Sequence, residues 1–171
     1  LLDRRPVRFA AVDMAAFLRD KTIMVTGAAG TIGPELCRQI LRHPVRELLL
    51  FDINENGLFF LDAELREAYP DKKVALIIGS IRDADRVGRV MRDHRPSVVF
   101  HAAAHKHVPI LENAPVEAVK NNVLGTAIVA EAALASGVEK MVLISTDKAV
   151  MSASVLGASK RLAELLVRSL N

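Results

Sequence analysis

KTIMVTGAAGTIG, from Lys21 to Gly33, decides the fold, because a short apolar run ends in a glycine loop that opens directly into a helix pattern. Ile23, Met24 and Val25 have the length of a strand buried on both faces. Gly27, Gly30 and Gly33 succeed it at three-residue spacing. The first permits a tight turn, the second lets a pyrophosphate approach the backbone, and the third lets the next helix pack close to the sheet. A helix N-terminus behind such a loop turns free N–H groups and partial positive charge toward an anion. The candidate phosphate contacts are Gly27, Ala29, Gly30, Thr31, Ile32 and Gly33. Glycine-rich turns are common, so a nucleotide pocket also requires partner residues further along the chain.

Ile32, Leu36, Ile40 and Leu41 recur at helical spacing until Pro44 ends the run. Glu47 to Ile53, ELLLFDI, then reads as a second buried strand that delivers Asp52 about 20 residues beyond the loop. A carboxylate at that point accepts both ribose hydroxyls of an adenosine and repels a 2′-phosphate. Its competing reading is a helix cap. Asn54 and Arg82 belong to the same ribose region, so NAD is favoured while NADP stays open. A helix with Leu58, Leu61 and Leu65 on one face runs to Tyr69, and Lys73 to Ile78 forms a third strand. In the loop beyond it, Ser80, Ile81 and Asp83 are candidate cofactor contacts. Asp83 has two readings, acceptor from an adenine amino group or N-cap of the following helix.

Ser97 to Phe100 is the fourth strand, and it runs into HAAAHKHVP, residues 101–109. Small residues at the carboxyl end of a parallel strand let a flat cofactor lie against backbone, in the crevice where open α/β sheets bind ligands. His101, Ala102, Ala103, Ala104 and Lys106 are the candidates here, with Lys106 as a cation near a phosphate or sugar. The three histidines lack an acidic or cysteine cluster, so no metal is expected. Asn121 and Asn122 open a long alanine-rich helix ending near Gly137, and one or both amides support backbone near the site, with Asn121 the candidate cofactor contact. Met141 to Ile144 is the fifth strand. It carries Ser145, Thr146, Asp147 and Lys148 to the same edge, where a hydroxyl, a carboxylate and an amine can exchange protons with a substrate or form an ordinary polar strand end. A last helix bears Lys160. Strands alternating with helices over short connections predict an α/β fold, a Rossmann-type doubly wound parallel sheet of order 3-2-1-4-5 with helices on both faces.

The 171 residues are the size of one domain, with residues 1–20 as a lead-in and 21–171 as a nucleotide-binding unit. Lys and Arg number 23 against 20 Asp and Glu, a net +3 spread along helices, which argues against a nucleic-acid partner. Cys37 alone excludes an internal disulfide and fits a reduced, cytoplasmic setting. No apolar run is long enough to cross a bilayer. The start at Leu1 and the end at Asn171, in or just after a helical pattern, suggest a piece of something longer.

The glycine loop, Asp52, Asp83, the alanine loop and the STDK strand end occur in an order that resembles the extended short-chain dehydrogenase/reductase superfamily. Within it, HAAAHKHVP, EAVKNNVLGT and ISTDKAV followed by GASKR are similar to the CapD-like nucleotide-sugar 4,6-dehydratases of bacterial polysaccharide biosynthesis. LLDRRPVRF resembles the segment that comes after the membrane region of the large members, which implies a membrane-anchored parent whose soluble domain this is. The resemblance implies NAD or NADP, a substrate such as UDP-N-acetylglucosamine, and a cycle in which hydride leaves carbon 4, water is eliminated across carbons 5 and 6, and hydride returns to carbon 6. It further implies that Thr146 orients the sugar hydroxyl, Asp147 protonates the departing hydroxyl, Lys148 assists removal of the carbon 5 proton, and Lys160 binds nicotinamide ribose. Homo-oligomers are usual in the superfamily.

Two departures stand out. The superfamily's tyrosine, four residues before the helix lysine, and the methionine of the large dehydratases are replaced by Leu156, which carries no proton. An Asn-Pro-Thr-like run is replaced by Met151, Ser152, Ala153 and Ser154. The substrate region of the family lies further toward the C-terminus and is absent here. These residues are therefore expected to bind a dinucleotide with little turnover. A silent nucleotide-binding or sensory module and a nucleotide-sugar epimerase are the other readings.

Overall fold

The computed structural model describes residues 11–170, so the LLDRRPVRF segment lies outside the described residues. The chain runs through helix α1 (Ala11–Leu18), β1 (Thr22–Thr26), α2 (Gly33–Leu41), β2 (Glu47–Asp52), α3 (Glu55–Ala68), β3 (Val74–Ile78), α4 (Ala84–His94) and β4 (Val98–His101). It continues through α5 (Val108–Asn113), α6 (Pro115–Ala118), a π-turn (Val119–Leu124), α7 (Gly125–Ala135), β5 (Lys140–Leu143), a 3-10 turn (Asp147–Ala149) and α8 (Val155–Ser169). The five strands are parallel in the expected order β3-β2-β1-β4-β5.

Period-two alternation divides the sheet between two cores. Ile23, Val25, Leu48, Leu50 and Val98 point to one face, where Cys37, Ile40 and Leu41 of α2 and Leu58, Leu61 and Leu65 of α3 cover them. Met24, Leu49, Phe51, Ile77 and Val99 point to the other, against Val87, Val90 and Met91 of α4 and Val129 and Ala133 of α7. Helices on both faces explain why β1 is buried along all five residues, as a continuous apolar run requires. The register sets Thr26 of β1 beside His101 of β4 at the carboxyl edge.

Strand limits differ from expectation by a residue, as when β5 covers Lys140–Leu143 and leaves Ile144 in the loop. The larger difference lies after β4. α5 and α6 were not expected, although Pro109 and Pro115 in their first turns are a helix-start signal. The long helix begins well before Asn121, and a π-turn interrupts it. That wider turn rotates two consecutive residues inward, so Asn121 and Asn122 are only 9% and 1% exposed.

Candidate functional site

A cleft of about 920 Å³ opens at the carboxyl edge of the sheet, lined by the glycine loop, the end of β2, the loops after β3, β4 and β5, and residues of α5, α6 and α8. Gly27 has φ +70°, and a Cβ there would lie 2.5 Å from Ala103 N and 2.7 Å from the Ala102 carbonyl carbon. The loop thus rests on the backbone of the alanine stretch, which only glycine permits. At Gly33 a Cβ would sit 2.1 Å from Gly27 O and 2.5 Å from Ala28 O. The third glycine therefore lets α2 start against the loop's own carbonyls, a closer approach than packing on the sheet. Gly30 meets only Gly27 O, at 3.1 Å, and stays open to the cleft. α2 has no side-chain cap, so the N–H groups of its first turn, other than at Pro34, which has none, are not taken by a cap and carry the helix's partial positive charge.

Gly27, Gly30, Thr31 and Ile32 line the cleft, whereas Ala29 and Gly33 lie behind it. Ala29 acts through its N–H, which donates to Asp52 Oδ2 at 2.9 Å, and Asn54 N donates to Oδ1 at 2.9 Å. These bonds fix the Asp52 carboxylate at the cleft wall. Asn54 is outside the lining: its side chain accepts from Gly57 N and caps α3. Asp83 resolves the same way, as it accepts from Arg86 N at 2.9 Å, caps α4 and does not line the cleft. Ser80 and Ile81 do line it. Arg82 lines it too and is paired at 2.8 Å with Glu117 of α6.

Ala102, Ala103 and Ala104 form part of the wall, and Lys106 Nζ donates to Thr31 Oγ1 at 2.5 Å, joining the β4 loop to the glycine loop. His101 is fully buried beneath this surface and outside the lining, between Thr26 Oγ1 at 2.6 Å and Thr126 Oγ1 at 3.0 Å. Burial, helped by the Lys160 charge, lowers its pKa to about 3. Among the described residues no cluster of three His, Cys, Asp or Glu side chains can hold a metal. Asn121 lines the cleft, but the backbone support comes from Asn122, whose Oδ1 accepts from His105 N at 2.8 Å and whose Nδ2 donates to His105 O at 3.0 Å.

At the β5 edge, Thr146, Lys148 and Lys160 line the cleft and Asp147 does not. The Asp147 side chain is 87% exposed, and the Thr146 hydroxyl and then the Lys148 charge hold its carboxyl below the usual range. In this arrangement it is an ionised acceptor turned to solvent. Lys160 is only 5% exposed and donates to Ile144 O at 2.6 Å. Burial depresses its pKa, and Glu164 partly opposes that. One carbonyl leaves an ammonium group with donors for further hydroxyls in the cleft. Leu156 lines the cleft beside it and packs with Leu111 and Ala118. The replaced loop carries Met151 at 84% exposure, outside the lining. Sequence reasoning did not single out Ile110, Leu111, Glu117 or Ile144 as cleft residues; the first three come from the two helices it did not expect.

A parallel sheet with a glycine cradle, an acidic β2 end and a buried cleft lysine defines a Rossmann-type nucleotide-binding domain. The chain belongs to the polysaccharide biosynthesis protein family, whose pattern matches residues 23–171. The capsular polysaccharide biosynthesis protein CapD of Staphylococcus aureus is 43% identical over all of this chain, which spans 29% of that protein. A UDP-glucose 4-epimerase of Rickettsia canadensis is 39% identical over 86% of this chain and 42% of its own length. Among solved structures, DesIV, a dTDP-glucose 4,6-dehydratase of Streptomyces venezuelae with NAD bound, is 28% identical with a TM-score of 0.73, over 86% of this chain and 51% of that one. The chain thus spans about half or less of the proteins it matches. No helix among the described residues is long and apolar enough to cross a membrane.

Proposed function

We propose that residues 21–171 are the NAD-binding domain of a nucleotide-sugar 4,6-dehydratase of polysaccharide biosynthesis, acting on a UDP-N-acetylglucosamine-like sugar. The observation that carries this reading is one cleft holding the glycine cradle, Asp52 and Lys160 together. The cradle fits a pyrophosphate, since Gly27 and Gly33 let the loop close against backbone while Gly30 adds no side chain to the space it lines. NAD, when bound there, supplies a hydride acceptor that is regenerated in the same cycle. Asp52 holds the adenosine ribose, the α2 N-terminus and Lys106 hold phosphate, and Lys160 donates to nicotinamide ribose. Thr146 orients the sugar hydroxyl, and Lys148 assists removal of the proton from carbon 5. Asp147 protonates the departing hydroxyl only after it turns into the cleft and regains a proton, and its bond from Thr146 opposes both. Leu156 cannot accept a proton, so the base for the oxidation is Asp147, Lys148 or a bound water.

The sugar-nucleotide contacts are assigned to sequence outside these residues, supported by the span of about half the solved dehydratase. The parent is proposed to be membrane-anchored, with this domain in the cytoplasm and the assembly a homo-oligomer. Leu156 also favours a second reading, a silent NAD-binding module, and the Rickettsia relative favours an epimerase. Three measurements separate these. Fluorescence titration is expected to show NADH binding by the chain, and absence of binding overturns the cofactor assignment. Mass spectrometry with UDP-N-acetylglucosamine should show loss of one water with the full-length parent and little with these 171 residues. Efficient dehydration by the chain alone refutes the division between two regions, and epimerised product without water loss identifies the epimerase.

The Asp52 carboxylate predicts discrimination against a 2′-phosphate. Asp52→Asn removes its charge and is expected to shift the ratio of NADH to NADPH affinity toward NADPH by about tenfold or more, the effect of one lost charge repulsion at a partly buried site. An unchanged ratio in paired titrations removes Asp52 from cofactor choice.

A further inference from the structure

His101 is placed so that the hydrogen it shares with Thr126 has one possible direction. Thr126 Oγ1 lies 2.7 Å from Asn122 O. A carbonyl only accepts, so the Thr126 hydroxyl hydrogen is committed to it. The same oxygen lies 3.0 Å from His101 Nε2 and must accept there, which puts the ring hydrogen on Nε2. In a neutral ring, which full burial favours, Nδ1 is then bare and accepts from the Thr26 hydroxyl at 2.6 Å. Thr26, His101 and Thr126 are all buried, so water cannot replace a missing partner without cost.

The chain of bonds continues from the Asn122 backbone to its side chain. Asn122 Nδ2 donates to His105 O and, at 3.1 Å, to Ser159 Oγ, and that hydroxyl donates to Leu156 O at 2.9 Å. Asn122 Oδ1 accepts from His105 N and, at 3.2 Å, from Asn121 Nδ2. The loop after β4 is therefore held at both ends. Ala102 N donates to Thr26 O at 2.9 Å at one end, and His105 is clamped by Asn122 at the other. Between them lie the alanines that line the cleft and on which Gly27 rests.

We infer that His101 is a positioning residue, held as the neutral Nε2–H tautomer, which fixes the alanine wall of the cleft and the adjoining turn of α8 through Thr126 and Asn122. It touches no ligand. The link to affinity rests on the cofactor reading above, whereas the link to loop order does not. A histidine, with one donor and one acceptor on opposite sides of a rigid ring, matches the two buried hydroxyls between which it lies.

The test uses Thr126→Val, which removes the hydroxyl at nearly constant volume, and Thr126→Ser, which keeps it. In the unsubstituted chain, long-range proton–nitrogen spectra of the imidazole at neutral pH are expected to show hydrogen on Nε2 and a bare Nδ1. Thr126→Val should speed hydrogen exchange at the His105 amide and weaken NADH binding, each about tenfold, the effect of one lost buried hydrogen bond. Thr126→Ser should restore both. An Nδ1–H tautomer or an imidazolium overturns the inference without any variant. Unchanged His105 exchange in a folded Thr126→Val protein also overturns it. If the chain binds no NADH, the cofactor reading falls, and the tautomer and exchange results still decide the role of His101.

Discussion

Gly27→Ala is expected to destabilise the chain by about 2–5 kcal/mol, the sum of left-handed backbone strain in a residue with a side chain and overpacking against an immovable neighbour. The φ of +70° supplies the first contribution. The second comes from Ala103 N, 2.5 Å from where the methyl would sit, because that contact is backbone and has no rotamer by which to yield. Gly27 N and Ala28 N also donate to Phe51 O of β2, at 2.9 and 3.3 Å. Any movement that relieves the clash therefore loosens the pairing of β1 with its neighbour, and equilibrium urea unfolding should register it as a lower midpoint.

Gly30→Ala is the internal comparison. Its methyl would meet Gly27 O at 3.1 Å, a contact that a small shift relieves. It should cost about 1 kcal/mol or less of stability while still weakening NADH binding, because the added methyl faces the cleft. Equal destabilisation by the two substitutions refutes the division of labour between the glycines.

Acid is expected to weaken the fold through His101. Its pKa falls from 6.5 to about 3 on folding, so the unfolded chain binds the proton first as pH drops. Stability is complete above about pH 6.5 and declines below it by about 1.4 kcal/mol per pH unit, levelling near pH 3. From pH 6.5 to 4 this one group removes about 3 kcal/mol. His101→Gln keeps a donor and an acceptor and abolishes the titration, so its unfolding midpoint should fall less steeply over the same window. Parallel pH profiles for the two proteins would show that His101 is not the group responsible. Lys160 acts in the opposite part of the range. Burial lowers its pKa, so the cost of its charge is present at neutral pH and is relieved only as the pH rises through the depressed value toward 10.5.

The apolar runs made the sheet legible, because a parallel strand covered on both faces tolerates polar residues only at its ends. Ile23 to Val25 and Leu48 to Phe51 leave little choice of structure, and the short connections leave little choice of order. Gly27, Gly30 and Asp52 were legible for the same reason, since a strand end places them by counting alone. Asp83 and Asn54 were harder. A polar side chain that precedes a helix satisfies either a ligand or a backbone N–H, and local spacing is identical in the two cases. Asp147 was read as a cleft residue because it sits between Thr146 and Lys148 in the sequence; in the 3-10 turn those two reach the cleft lining while the Asp147 side chain stays in solvent, 3.8 Å from Lys148 Nζ. The proton-donor role is the part of the resemblance that this arrangement supports least.

By itself the sequence determined the five strands, their order, the glycine cradle and the acidic residue at its far wall, since all of these arise from periodicity and from counting along the chain. Only the tertiary structure decided that His101 lies under the cleft as a buried connector, that Asn122 braces the loop, and that α5 and α6 supply part of the wall. The physical reason is range. Thr26, His101, Thr126 and Ser159 come from four separate elements, and hydrogen bonds between them depend on sheet register and on a π-turn that no local pattern records.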